Sequence, residues 1–110
     1  MEKRLGFCGT SLDDLRAFPP AAKHEAGYQL DKVQHGQEPN NWKPMSSVGV
    51  SVKEIRIKDE GDIYRVMYIA TFPEAVYVLH CFQKKTEKTS PADLKLAKDR
   101  YKALKRGDRP

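Results

Sequence analysis

At 110 residues, 39% hydrophobic and 32% charged, the chain has room for one domain spanning 1–110, and no apolar run approaches the ~18 residues a membrane helix needs. The opening "MEKRLGFCG" has early positive charge but no long apolar stretch behind it, so it does not read as a secretory signal, and a cytoplasmic location is expected. The formal charge of +5 is concentrated: residues 1–83 carry 10 Lys and Arg against 11 Asp and Glu, and residues 84–110 carry 10 against 4, the footprint of a phosphate-rich or acidic partner, or of a solvated basic helix and tail.

In chain order, "KRLGFC" at 3–8 reads as a short first strand. "SLDDLRAF" offers Ser11 as an N-cap with acidic residues in the first turn, and Pro19 interrupts the helix after about two turns. Pro19 and Pro20 can open a second helix, since a first-turn proline gives up an N–H that had no partner. It runs to a stop at Gly36, with Ala22, Ala26, Leu30 and Val33 on one face and Gly27 as a place for close packing. Residues 36–52, rich in Pro, Gly and Asn, read as a long connection, with Trp42 as a packing plug.

Beyond residue 52 the period changes. "VKEIRIK" alternates, with Lys53, Ile55 and Ile57 on one side and Glu54, Arg56 and Lys58 on the other. "DEGD" supplies a turn with Gly61 at positive φ, and the runs "IYRVMYIATF" and "AVYVLHCFQ" follow, separated by "PE". Three strands joined by short turns make an antiparallel meander. "SPADLKLAKDRYKALKRG" then has Ser90 as N-cap, Pro91 at the first helical position and Asp93 three residues on, with Leu94, Ala97, Tyr101 and Leu104 as the apolar face. The fold class is α+β: a small, mostly antiparallel sheet with an N-terminal helical pair and a C-terminal helix, the helices expected on one side of the sheet.

Few residues suggest chemistry. Cys8 and Cys81 lack CxxC spacing and read as buried free thiols, and His24, His35 and His80 form no metal pattern with them. His80, in line with Val78 and Phe82, reads as a hydrogen-bonded core histidine. No nucleophile triad, paired carboxylates, phosphate loop, cofactor motif or metal spacing is evident, so neither metal nor cofactor is expected. Arg65 is different, because a charge inside an apolar strand must be paired or reach a surface that matters. Adjacent strands can bring Arg56, Arg65, Lys84 and Lys85 onto one patch, which repels itself unless an anion occupies it. The alternative is that Arg65 pairs with Glu54 and the lysines are plain surface.

The combination of "VQHGQEPNNWKPMSSVGVSVKEIRIK", "YRVMYIA" and "AVYVLHCFQKKTEKTSPADLKLAKDRY" resembles the phage-derived branch of the RelE/HigB toxins, within the RelE/ParE superfamily of bacterial type II toxin–antitoxin systems, over roughly residues 5–105. The resemblance implies a RelE/ParE-like fold and an mRNA endoribonuclease acting on messages held by the ribosome. It also implies a partner antitoxin, expected to be of helix-turn-helix type, through which the complex would touch DNA indirectly, and no membrane partner.

By the same resemblance, Arg65 and Arg56 match the strand arginines set against the scissile phosphate, and Lys84 and Lys85 match the basic pair ending the last strand. Lys53, Lys58, Lys88, Lys95, Lys98 and Lys102 would contact RNA. The tyrosine that some members place at the start of the terminal helix is replaced here by Ser90 and Pro91. A lysine among cations has a depressed pKa, which would suit Lys84 or Lys85 as general base. The competing expectations are a ParE-like gyrase inhibitor, a non-catalytic basic adaptor acting through residues 84–109, and an inactive phage remnant.

Overall fold

The computed structural model describes residues 2–110. A five-stranded sheet has the order β1-β5-β4-β3-β2, where β1 is Arg4–Phe7, β2 Trp42–Pro44, β3 Val52–Asp59, β4 Asp62–Ile69 and β5 Ala75–Lys84. Only the β1–β5 pair is parallel. The helices are α1 (Ser11–Arg16), α2 (Pro20–Gln34) and α3 (Pro91–Lys105). The α+β class and the meander expected from the sequence are present.

The β3–β4 hairpin fixes what matters for the site. Glu60 and Gly61 have φ of 49° and 86°, positive at both central positions as a two-residue I′ hairpin requires, and glycine takes the second without strain. That turn locks the register, so Arg56 lies opposite Arg65 and Glu54 opposite Met67, while Arg65 faces Phe82 and Ile63 faces Lys84 on the other side.

The helices do not lie on one side of the sheet. α1 and α2 place Leu15, Phe18, Ala22, Ala26, Leu30 and Val33 against Ile55, Ile57, Tyr64, Val66 and Val78. α3 covers the opposite face, where Ala97 and Leu104 meet Val52, Met67, Ile69, Tyr77, Leu79 and Phe82. β4 and β5 are buried on both faces, which is why they read as near-continuous apolar runs. Truncating a residue such as Leu30, fully enclosed in the first of these cores, costs about 2–5 kcal/mol.

Local expectations are corrected in four places. The connection 36–52 contains the edge strand β2, paired with β3 through Trp42↔Ile55, Lys43↔Glu54 and Pro44↔Lys53. Ser11 is the first residue of α1 rather than its cap: its Oγ donates to the Val78 carbonyl, and Thr10 holds the N-cap position. Gly27 is exposed with open space around it, so no close packing requires it. The glycine that does permit a close approach is Gly49, where a Cβ would fall 2.5 Å from the Tyr101 ring, so the loop before β3 lies flat against α3. Trp42, expected as a plug, is 36% exposed, with the Lys53 ammonium 4.4 Å from its ring centroid.

Candidate active site

Where β5 runs out before α3 begins, the sheet borders an open cavity that no α3 residue lines. Strand alternation and register bring Arg56, Arg65 and Lys84 to this open end, and Lys85 follows as β5 runs out. Together with Lys43, Ile63, Thr86 and Glu87 they line a cavity of about 490 Å³. A second cavity of about 230 Å³ is lined by Asn41, Trp42, Lys43, Arg56 and Arg65, so the two share three cations. The patch expected from Arg56, Arg65, Lys84 and Lys85 is thus formed, and it includes Lys43, which sequence reasoning missed. Lys43 belongs to a loop-like stretch in the sequence and reaches the site only because β2 pairs with β3.

The floor of the site is a buried ion pair. Arg65 Nη1 donates to Glu54 Oε1, Arg65 is 4% exposed and Glu54 is fully buried. Lys43 Nζ stands 3.9 Å from the same carboxylate oxygen. Arg65 therefore pairs with Glu54 and also lines the cationic cavity. The pair is incomplete, since Glu54 Oε2 and Arg65 Nε are buried without a hydrogen-bond partner. A buried pair of this kind is at best a weak source of stability, although removing one member is strongly unfavourable.

Lys84 has its pKa pushed below the usual lysine range, first by desolvation and then by the positive charges of Arg65, Lys43 and Arg56, with Glu54 opposing. Burial and like charge both disfavour the ammonium, and both raise the fraction of free amine near neutral pH. The cavity of about 490 Å³ has room for a bound anion, and a phosphate is the anion that uses several cationic donors at once.

The remaining expected contacts are dispersed. Lys53 is on the opposite face with Ile55 and Ile57, paired with Glu38 at 3.3 Å and stacked on Trp42, so it does not join the cluster. Lys58 follows Arg56 by two residues on the same side of β3 and is exposed beside the hairpin. Lys88 is exposed in the connection between β5 and α3. On α3, Lys95 pairs with Asp99 at 2.8 Å, Lys98 is half-buried and Lys102 is exposed.

His80 is tied in, as expected of a core histidine, but its surroundings differ. β5 carries an irregularity in its pairing with β4 between His80 and Val78, so Val78 faces α1 and α2 while His80 stacks on Phe82, ring centroids 4.7 Å apart. Its Nε2 is 2.7 Å from Asp93 Oδ1. A carboxylate only accepts, so Nε2 carries the proton. Asp93 also accepts from Ser90 Oγ at 2.8 Å, and the Asp93 N–H donates back to Ser90 Oγ at 3.1 Å. This chain of bonds fixes the start of α3 to β5 and closes one side of the connection that carries Lys85 and Lys88.

Other groups do not compete for the role. A cavity of about 510 Å³ on the α1 side, bordered by Asp14, Phe18, Pro19, Tyr64 and Gln83, has no Lys or Arg in its lining. Both cysteines are buried and free, as expected; desolvation pushes the Cys8 thiol up to about 11 and the Cys81 thiol higher still, so neither is a ready nucleophile. Glu2, Asp31 and His35 place ligand-type atoms within 4.8 Å of one another on the surface, where His35 simply bonds the Asp31 carbonyl at 2.8 Å and approaches Glu2 at 3.4 Å.

Comparison with known families settles kinship. The model of the phage-derived protein Gp49-like family (DUF891) matches residues 13–102. The chain belongs to that family. It is a toxin-like family whose members often occur in toxin–antitoxin systems. The matched residues include β3, β4, β5 and all but the end of α3, and so the whole cationic cluster. A search of curated proteins gave no match. Among the described residues no helix is long and apolar enough to cross a membrane.

Proposed function

We propose that this Gp49-like chain is the toxin of a type II toxin–antitoxin pair, a RelE/HigB-like endoribonuclease that cleaves messenger RNA on the ribosome in the cytoplasm. The observation that carries the reading is the convergence of Arg56, Arg65, Lys84 and Lys85 on one open cavity above a buried carboxylate. Glu54 offsets the charge of Arg65, but the cavity keeps an excess of positive charge, and an RNA phosphodiester would neutralise it.

In the proposed step the free amine of Lys84 takes the proton of the ribose 2′-hydroxyl. The 2′-oxygen bonds to the adjacent phosphorus, the bond from phosphorus to the 5′-oxygen breaks, and the leaving oxygen takes a proton from the Lys85 ammonium. The products are a 2′,3′-cyclic phosphate and a 5′-hydroxyl end. Arg65 and Arg56 offset the extra negative charge that develops on the phosphoryl oxygens, a contribution worth ~3 kcal/mol per donor. The nucleophile belongs to the substrate, so DNA, which lacks it, is not cut. Lys58, Lys88, Lys98 and Lys102 would add salt-sensitive contacts to RNA phosphates, and an antitoxin of helix-turn-helix type would silence the toxin by covering the same cations.

The test is induced expression of the wild-type chain and of Arg65→Ala in a bacterial host, following growth and mapping new RNA 5′ ends. Growth arrest with codon-positioned cuts, both absent in a folded variant, is the expected result. Arrest without cuts would replace this reading with a ParE-like action on gyrase. Arrest that survives Arg65→Ala but not charge reversal along α3 would replace it with a basic adaptor, and a chain that does nothing when expressed would be an inactive remnant.

A further inference from the structure

The smaller cavity beside the phosphate site has no role in the chemistry above. It is lined by Asn41, Trp42, Lys43, Arg56 and Arg65 and encloses about 230 Å³. Three of its residues also line the larger cavity, so a chain bound across Arg65 has one path from β5 toward the β2 edge. Arg65, nine-tenths buried and more, has an Nε without a partner and borders both spaces.

Asn41 lines this second cavity and is exposed. It has a φ of 40°, unusual for a residue other than glycine, and its carbonyl accepts from the Arg56 N–H at 2.9 Å, which ties it to the strand that supplies the phosphate cation. Asparagine is among the residues that tolerate this backbone region. Trp42 contributes less, because Lys53 already covers a face of its ring.

We propose that this cavity is a nucleobase subsite, and that Asn41 with Lys43 reads a purine through its N7 edge next to the phosphate held by Arg65. The chemistry follows from the donors. Purines present N7 with a neighbouring O6 acceptor or N6 donor. A lysine ammonium suits the guanine pair and an asparagine amide suits the adenine pair, whereas pyrimidines offer no such edge. An unstacked base in single-stranded nucleic acid is free to present it. The inference rests on the proposed reading for the identity of the substrate, but not on catalysis.

The experiment therefore measures binding. The intact protein is titrated with the uncleavable dinucleotides d(ApA), d(GpG), d(CpC) and d(TpT), and separately with inorganic phosphate, at fixed ionic strength, with backbone amide shifts as the readout. The purine dinucleotides should bind roughly tenfold more tightly than the pyrimidine ones, shifting Asn41, while phosphate alone shifts residues of the larger cavity, Lys43 included, and leaves Asn41 in place. Asn41→Gly keeps the backbone conformation and removes the amide, and should bring d(ApA) down to the level of d(CpC).

Equal binding of all four dinucleotides, binding no tighter than that of phosphate, or an unchanged ranking in Asn41→Gly would each overturn the proposal. If Asn41→Gly proves unfolded, Asn41→Asp serves in its place and should weaken the purine dinucleotides selectively. RNA cleavage is scored apart from this, so a chain that sorts dinucleotides but cuts no RNA keeps the subsite and refutes the nuclease.

Discussion

The cations of this protein fall into two groups that look alike in composition and differ in surroundings. Those of α3 are spread along an exposed helix, and two of them have partners of their own: Lys95 has Asp99, and Arg100 donates to the Leu79 carbonyl at 2.8 Å and to Thr10 Oγ1 at 3.1 Å. Just past the helix, Arg109 bonds Glu74 at 2.8 Å. The other group, Lys43, Arg56, Arg65, Lys84 and Lys85, comes from four strands or strand ends and crowds a single cavity, with Lys43 and Arg65 sharing the Glu54 carboxylate. A charge run on a helix is solvated and inexpensive, whereas a converging cluster over an incomplete buried pair is retained at a cost. That contrast makes the strand ends, rather than the basic tail, the place to look for chemistry.

The sharpest way to break the comparison is at the buried pair. Arg65→Ala leaves the Glu54 carboxylate buried with only Lys43, 3.9 Å away, as a partner, and should lower stability by about 3 kcal/mol while removing RNA cleavage. Replacing both members, Arg65→Leu with Glu54→Leu, should recover most of that stability in urea unfolding, because a buried pair exchanged for apolar residues is often neutral or stabilising. Cleavage should stay absent. If the double variant stayed as unstable as the single, the pair would be structural and the contrast with α3 would lose its meaning.

Lys84→Arg keeps the positive charge and loses the titratable amine. Cleavage should fall about 100-fold or more, the range of general acid–base catalysis. The pH dependence has a definite sign. Lys84 is active as the free amine, and its pKa lies below the ordinary lysine value in the folded chain, so wild-type cleavage should rise with pH and level off below the ~10.4 of a free lysine. Stability carries the same sign: between the lowered and the ordinary value the unfolded chain binds more protons, so the Lys84 contribution improves as pH rises. A pH–rate profile on wild type and Lys84→Arg checks both.

Smaller effects belong to the supports. Asp93→Ala removes the acceptor of His80 and of Ser90 and should cost about 1.5–3 kcal/mol, read as a lower unfolding midpoint, since it deletes a hydrogen bond to a charged group beside a buried ring. Lys98→Ala and Lys102→Ala on α3 should change stability by no more than about 0.5 kcal/mol. If these lysines grip RNA, each should reduce the salt slope of binding by about one, and no change in slope would remove α3 from the RNA contacts.

Much of this contrast can be read along the chain, and its limits are physical. The hairpin residues around Gly61 fix the register, so the meeting of Arg56 with Arg65 is readable in advance. The cap at Ser90 and the stripe from Leu94 to Leu104 locate α3, but an amphipathic stripe does not say which face of the sheet it covers, and α3 lies opposite α2. Alternation already sets Lys53 beside Ile55 and Ile57, away from Arg56, which is where it lies. Lys43 is hidden because its strand is three residues long and is defined by pairing rather than by pattern. The irregularity in β5 that turns His80 away from the Val78 side has no composition signal at all.

The most direct test of the central claim is a translation reaction with purified ribosomes and a defined message, comparing wild type, Lys84→Arg and the Lys98→Ala/Lys102→Ala pair by mapping RNA ends. The account expects codon-positioned cuts ending in 2′,3′-cyclic phosphate with wild type and, at lower efficiency and with a shallower salt dependence, with the α3 pair, and none with Lys84→Arg. Cuts that persist in Lys84→Arg and vanish in the α3 pair would contradict it and move the chemistry from the strand ends to the helix.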